Sequence, residues 1–173
     1  NGVRSPGRRR NFMTVGFALS NHGLHPIRGR RPEMTQSMSH NQLSFPRVAL
    51  EFMNRDHDEF ADLREKLLDL IDAGSLDQFG DRLEELYRHT IRHFAEEERV
   101  MQEAGFPAYP VHKGEHDAVL ADMAARIELW RREGDLEALR DWIDAAVGEW
   151  FVNHVGSMDM VTAGFVAMKQ QGR

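Results

Sequence analysis

Metal-ligating side chains recur at helical spacing inside apolar stripes, and this pairing constrains the chain more than any other feature. His93 and Glu97 stand four residues apart, as do His112 and His116. On a helix that spacing stacks two side chains on one face, one turn above the other. His57 lies alone upstream, and His154 with Asp159 lies downstream. Cysteine is absent from the 173 residues, which excludes thiolate sites, disulfides and iron–sulfur clusters. A metal would have to be held by imidazole and carboxylate, a donor set that suits iron, manganese, zinc or copper.

The apolar residues predict where the helices run. Val48, Phe52, His57, Phe60, Leu63, Leu67 and Ile71 mark a first helix that ends near Ala73 and Gly74. Ser75 is the expected cap of a second, whose inner stripe reads Phe79, Leu83, Leu86, Thr90, His93, Glu97 and Met101. Gly105, Pro107 and Pro110 break it. A third helix turns His112, His116, Val119, Met123, Ile127 and Trp130 inward and stops near Gly134. The fourth runs from Asp135 through Leu139, Ile143, Val147, Trp150, His154, Val161, Phe165 and Met168. No strand-like alternation competes. Long helices with short connections predict an all-α, up-down-up-down antiparallel four-helix bundle over residues 45–173.

Residues 1–44 mix Arg, Gly, Pro, Ser and His without periodicity and are expected to form a disordered or loosely packed N-terminal arm. Seven arginines against Glu33 give residues 1–40 a charge of +6, which leaves −12 on the remainder of a chain whose net charge is −6. An acidic body argues against nucleic acid as a partner. No apolar run approaches the ~18 residues of a membrane span. Arg9 and Arg10, ahead of Asn11, Phe12 and Met13, outline a twin-arginine export signal. Ser20, Asn21 and His22 interrupt the apolar stretch that follows, so a cytoplasmic location is expected.

Every helix contributes a metal-ligating residue to its inward stripe. Seven buried polar side chains without a metal would cost roughly 1–3 kcal/mol each, which a bundle of this size cannot absorb. Two six-coordinate metals filled by the five imidazoles, two bridging carboxylates and a solvent-derived bridge would keep one position open. A single vacancy suits a diatomic ligand better than a substrate. The chain contains no Glu-x-x-His motif, the mark of carboxylate-rich di-iron bundles. Imidazole-rich ligation is expected to favour reversible oxygen binding over an oxidising intermediate.

The pattern resembles the hemerythrin family, in its bacterial single-domain form. The matching residues are His57 after Asn54, Arg55 and Asp56, and the set His93, Phe94 and Glu97. They continue with Gly105, Phe106, Pro107, Tyr109, His112, Lys113, Glu115 and His116, then Trp150, Phe151, Asn153, His154 and Asp159. The resemblance covers about residues 45–168. It implies two iron ions with an oxo or hydroxo bridge, one held by His112, His116 and His154, the other by His57 and His93. Glu97 and Asp159 would bridge the pair. It also implies that oxygen binds end-on, as hydroperoxide, at the iron with two histidine ligands, in an apolar pocket made by Phe60, Phe94, Trp150, Phe151 and Val155. Phe151 stands where the family is expected to carry leucine more often, and its ring would narrow the pocket.

Asp159 follows His154 by five residues, which on an ideal helix sets them about 140° apart. A local distortion near Gly156 is therefore expected. His89 reads as a solvated helix-face histidine, and Glu96 and Glu98 as solvent or rim residues. The function expected is oxygen storage, transport or sensing without catalysis. An oxygen-consuming enzyme or redox partner would be the recipient. The alternatives are a di-iron peroxidase or nitric-oxide-handling enzyme, and a redox or oxygen signalling module.

Overall fold

A computed structural model describes residues 42–172, so the expected arm lies outside the described residues except for its last three positions. The described chain is helical. Helix α1 spans Glu51–Asp72, α2 spans Phe79–Ala104 and α3 spans Tyr109–Glu133. The fourth helix, residues 136–171, is one rod with two π-helical stretches, Trp142–Val147 and Val155–Asp159. Helix α1 packs on α2 and on the first π stretch, and α2 packs on α3 and on the last segment of the fourth helix. The result is the expected antiparallel four-helix bundle.

Helix ends follow local chemistry. Gly74, Gly105 and Gly134, with φ of 67°, 67° and 69°, take the left-handed conformation just past the first three helices, where a Cβ would be strained. At Gly105 the Phe106 amide donates back to the Met101 carbonyl at 2.9 Å, which satisfies an end carbonyl of α2. The Asp135 side chain accepts from the Ala138 amide at 2.9 Å and caps the fourth helix. Ser75 does not cap α2. Its side chain makes no cap bond, and a short 3₁₀ turn, Leu76–Gln78, intervenes before α2 begins at Phe79.

Fully buried Phe79, Leu83 and Leu86 from α2 meet Leu67 and Leu68 from α1 in the core layer remote from the histidines. Each such side chain contributes about 1.5–3 kcal/mol by leaving water. The inner face of the fourth helix differs from the expected one. Val161 and Met168 are 63% and 68% exposed, while Thr162, Ala163 and Val166 are buried. A π turn inserts one residue without completing extra rotation, so the stripe beyond Asp159 advances by one position. Simple 3.6-residue periodicity, carried through the bulge, points to the wrong face.

Leu43 and Phe45 lie against the core, and the segment ahead of α1 is tied to it by Asn54. The Asn54 amide group donates to the Val48 carbonyl, and its Oδ1 accepts from the Val48 amide, both at 2.9 Å. Among the described residues no helix is long and apolar enough to cross a membrane. Replacing Asn54 with Ala would strand both Val48 groups, and equilibrium urea unfolding is expected to show a loss of about 1–3 kcal/mol. A loss below ~0.5 kcal/mol would mean that water satisfies those groups.

Candidate metal centre

The bundle brings all seven expected ligands together. His57 comes from α1, His93 and Glu97 from α2, His112 and His116 from α3, and His154 and Asp159 from the fourth helix, and none is more than 8% exposed. Their atoms form two groups. Glu97, His112, His116, His154 and Asp159 offer ligand atoms all within 4.8 Å of one another, and so do His57, His93 and Asp159. Asp159 belongs to both. Glu97 faces His116 at 3.4 Å and His112 at 3.7 Å, and reaches His93 at 4.0 Å across the boundary. The second π stretch makes this possible: it carries Asp159 round to within 3.1 Å of His154.

Partners on the outer side of the rings set the tautomers. His112 Nδ1 lies 2.9 Å from Thr162 Oγ1, whose own hydrogen points at Met101 sulfur, 3.9 Å away. His116 Nδ1 donates to Glu98 at 3.2 Å, and His93 Nδ1 to Asp56 at 3.4 Å. Each acceptor keeps the proton on Nδ1, so Nε2 turns a lone pair inward. Phe94 stacks on His116 with centroids 3.7 Å apart and an interplanar angle of 3°, and Trp150 stacks on His154 at 4.8 Å. These contacts hold the rings in place before anything binds.

The interior groups converge but satisfy one another only in part, through a hydrogen bond of 3.1 Å between His112 Nε2 and His154 Nε2. Asp159 lies 3.1 Å from His57 and His154 and 3.3 Å from His112, yet both its oxygens lack a hydrogen bond of acceptable geometry. Both Glu97 oxygens, His116 Nε2 and both His57 nitrogens are likewise buried without a partner. Orphaned lone pairs of this number in a dry interior are what a cation would satisfy, so the residues fit a metal pair. Burial, and then the charge of Asp159, push the Glu97 carboxyl well above its usual range. Burial also opposes the charge on Asp159, but the imidazoles of His112, His154 and His57 outweigh it and hold that carboxyl well below its usual range. His116 is pushed down to about 2, chiefly by burial and then by the neighbouring His112 and His154. It stays a neutral ligand at any physiological pH.

A cavity of about 10 Å³ is lined by His57, His93, His154 and Asp159, with Phe60, Phe94, Trp150 and Phe151 completing its wall. That is room for one water-sized molecule. Val155, expected in the wall, is buried but not among the lining residues. Thr90 is in it, and its hydroxyl donates to the Leu86 carbonyl at 2.9 Å. Phe60 and Phe151 stack at 4.5 Å, and Phe45 closes edge-on against Phe151 at 5.0 Å and His57 at 6.2 Å.

Several of these residues escape sequence reasoning. Phe45 precedes the first helix and has no periodic context. Asp56 and Thr162 look like ordinary helix-surface polar residues. Glu98 sits on the rim as expected, but aims its carboxylate at a ligand ring. His89 is buried, not solvated: its Nε2 meets the Asp56 carbonyl at 2.9 Å, and burial holds its pKa below the usual value. Its position four residues before His93 was the available signal.

Residues 48–165 match the family described as the hemerythrin HHE cation binding domain. The chain is similar to the bacteriohemerythrin of Aquifex aeolicus, 30% identical over 65% of this chain and 86% of that protein. It is also similar to the bacteriohemerythrin of Ralstonia nicotianae, 34% identical over 60% of this chain and 74% of that one. A solved hemerythrin point mutant superposes with a TM-score of 0.63 at 27% identity, covering 69% of this chain and 90% of its own.

The raised Glu97 carboxyl has a consequence for metal uptake. Where Glu97 holds its proton a cation must displace it, so affinity is expected to rise with pH, by up to about tenfold per unit, and to level off above that group's raised pKa. Metal titrations over a pH series should show this rise, with calorimetry detecting proton release at its acidic end. Affinity that does not change over the series would mean that Glu97 does not govern uptake.

Proposed function

The chain belongs to the hemerythrin family, and on that premise we propose that it binds dioxygen reversibly at a pair of iron ions. His112, His116, His154 and Glu97 would hold one ion and His57 and His93 the other, with Asp159 within reach of both. A ferrous pair held there would supply the two electrons that dioxygen takes up. The observation that carries the reading is the small cavity beside His57 and His93. Both histidines of the group with fewer imidazoles line it, beside Asp159 and His154, so it is where an end-on diatomic would sit.

The surrounding residues suit binding better than turnover. Phe60, Phe94, Trp150 and Phe151 exclude water, whose entry would protonate and release reduced oxygen. The Thr90 hydroxyl, the polar lining group outside the ligand set, has its proton committed to the backbone. It is not free to act as an acid toward bound oxygen. A cavity of this size leaves no place for a second substrate beside the metals. The reading is therefore a carrier, store or sensor and not an enzyme.

Anaerobic reduction, an optical titration with oxygen and an iron count on the same sample test it. Two irons per chain and a coloured species that disappears when oxygen is removed are expected. Irons that oxidise once without a stable coloured adduct would move the assignment to redox catalysis. Replacing Phe151 with Leu removes the ring stacked on Phe60 and widens the cavity. The oxygenated form of that variant is expected to decay about tenfold faster as water gains entry, by loss of roughly 1.4 kcal/mol of barrier. Equal decay rates would show that this ring is not part of the barrier to water.

A further inference from the structure

Arg64 is the largest fully buried side chain among the described residues, and the metal centre makes no direct use of it. It projects from α1 onto the first π stretch of the fourth helix, Trp142–Val147. In a π turn the amides shift to carbonyls one residue further back, and a carbonyl loses its ladder donor. At the end of the stretch the Gly148 amide, which α geometry would give to Asp144 and π geometry to Ile143, closes on the Ala145 carbonyl three residues back, so neither Ile143 nor Asp144 receives it. Arg64 supplies replacement donors. Its Nε donates to the Ile143 carbonyl at 3.0 Å and its Nη2 to the Asp144 carbonyl at 2.7 Å, with Asp144 Oδ1 at 2.6 Å from the same nitrogen.

Gly148 makes room for this arrangement. A Cβ there would lie 3.1 Å from Arg64 Nη2 and 3.2 Å from Leu43 Cδ2. The second π stretch is served locally, by the Ser157 hydroxyl donating to the Asn153 carbonyl at 2.6 Å. The first is served from another helix. Beyond it the same rod carries Phe151, His154 and Asp159. Reverting the π stretch to α geometry would rotate those residues by roughly 100° about the helix axis.

We propose that Arg64 is a positioning residue for the metal centre: by holding the carbonyls of Ile143 and Asp144 it sets the rotation at which Phe151, His154 and Asp159 meet the ligands of the other helices. The proposal rests on the reading of the seven buried residues as metal ligands. The planar guanidinium suits the task because its fixed fork reaches two adjacent carbonyls at once, whereas a lysine ammonium is a single point donor.

Titration of the full chain with Co(II), followed by its d–d absorption, tests the proposal on Arg64→Met, Arg64→Lys, Gly148→Ala and the control Leu68→Ala. Leu68 is fully buried on α1 and its apolar side chain bonds no backbone carbonyl, so the control lowers stability while leaving the Arg64 hydrogen bonds in place. The unaltered chain is expected to take up two ions, one for each ligand group. Arg64→Met should weaken uptake about tenfold or more and shift the absorption bands, as loss of an outer support does at metal sites. Arg64→Lys should recover part of the affinity, and Leu68→Ala should lower the melting temperature with affinity and bands unchanged. If circular dichroism shows that Arg64→Met does not fold, Arg64→Lys and Gly148→Ala carry the test on the same terms. Folded variants with unaltered affinity and bands overturn the proposal, and so does loss of fold in all three, which would make Arg64 a folding determinant only. Fewer than two ions on the unaltered chain instead overturns the metal-centre reading.

Discussion

Seven polar side chains turn inward in two groups that share Asp159, and the rest of the bundle has to hold them there. In an apolar interior such groups repel, and each would gain by swinging toward water. Thr162, Glu98 and Asp56 prevent this by engaging the outer nitrogens of His112, His116 and His93. Stacked rings press from the sides, with Phe94 on His116 and Trp150 on His154. The layer of Leu67, Leu68, Phe79, Leu83 and Leu86 offsets the cost by burying apolar surface away from the site. Affinity for a cation is thus stored as unsatisfied polarity in an otherwise well-packed protein.

The centre is asymmetric, and the asymmetry gives it direction. Three imidazoles on one side are clasped by stacked rings and outer acceptors. On the other side His57 has no hydrogen-bond partner on either nitrogen and is bordered instead by the aromatic rings of Phe45 and Phe151. The cavity is lined by both histidines of this second side and extends to Asp159 and His154. Phe60, Phe94, Trp150 and Phe151 wall it beside the metal-binding residues, a lining that suits an uncharged gas better than an ion.

Much of this was legible in the chain itself. Gly74, Gly105 and Gly134 announce the helix ends because a left-handed residue terminates the ladder and glycine takes that conformation without strain. The seven polar residues stand out because imidazole and carboxylate rarely occupy an inward stripe. The five-residue interval between His154 and Asp159 even signals a distortion, which takes the form of a π turn. Its downstream effect was not legible. Val161, Phe165 and Met168 keep perfect helical spacing, and only the inserted residue turns Thr162, Ala163 and Val166 inward in their place. Periodicity has no means of registering a change of phase.

Nearest-neighbour chemistry along the chain therefore determined the helices, their ends, the bundle and the identity of the inward polar residues, because each depends on spacing within one helix. Tertiary structure alone decided the partners that cross between helices. Arg64 on the carbonyls of Ile143 and Asp144, Asn54 on Val48 and Phe45 against His57 have no signature in local sequence. An arginine or asparagine on a helix reads as solvated until the fold presents backbone groups that have lost their own donors. Those groups exist only once the π turn and the segment before α1 have packed, so their need for a partner arises in the folded chain.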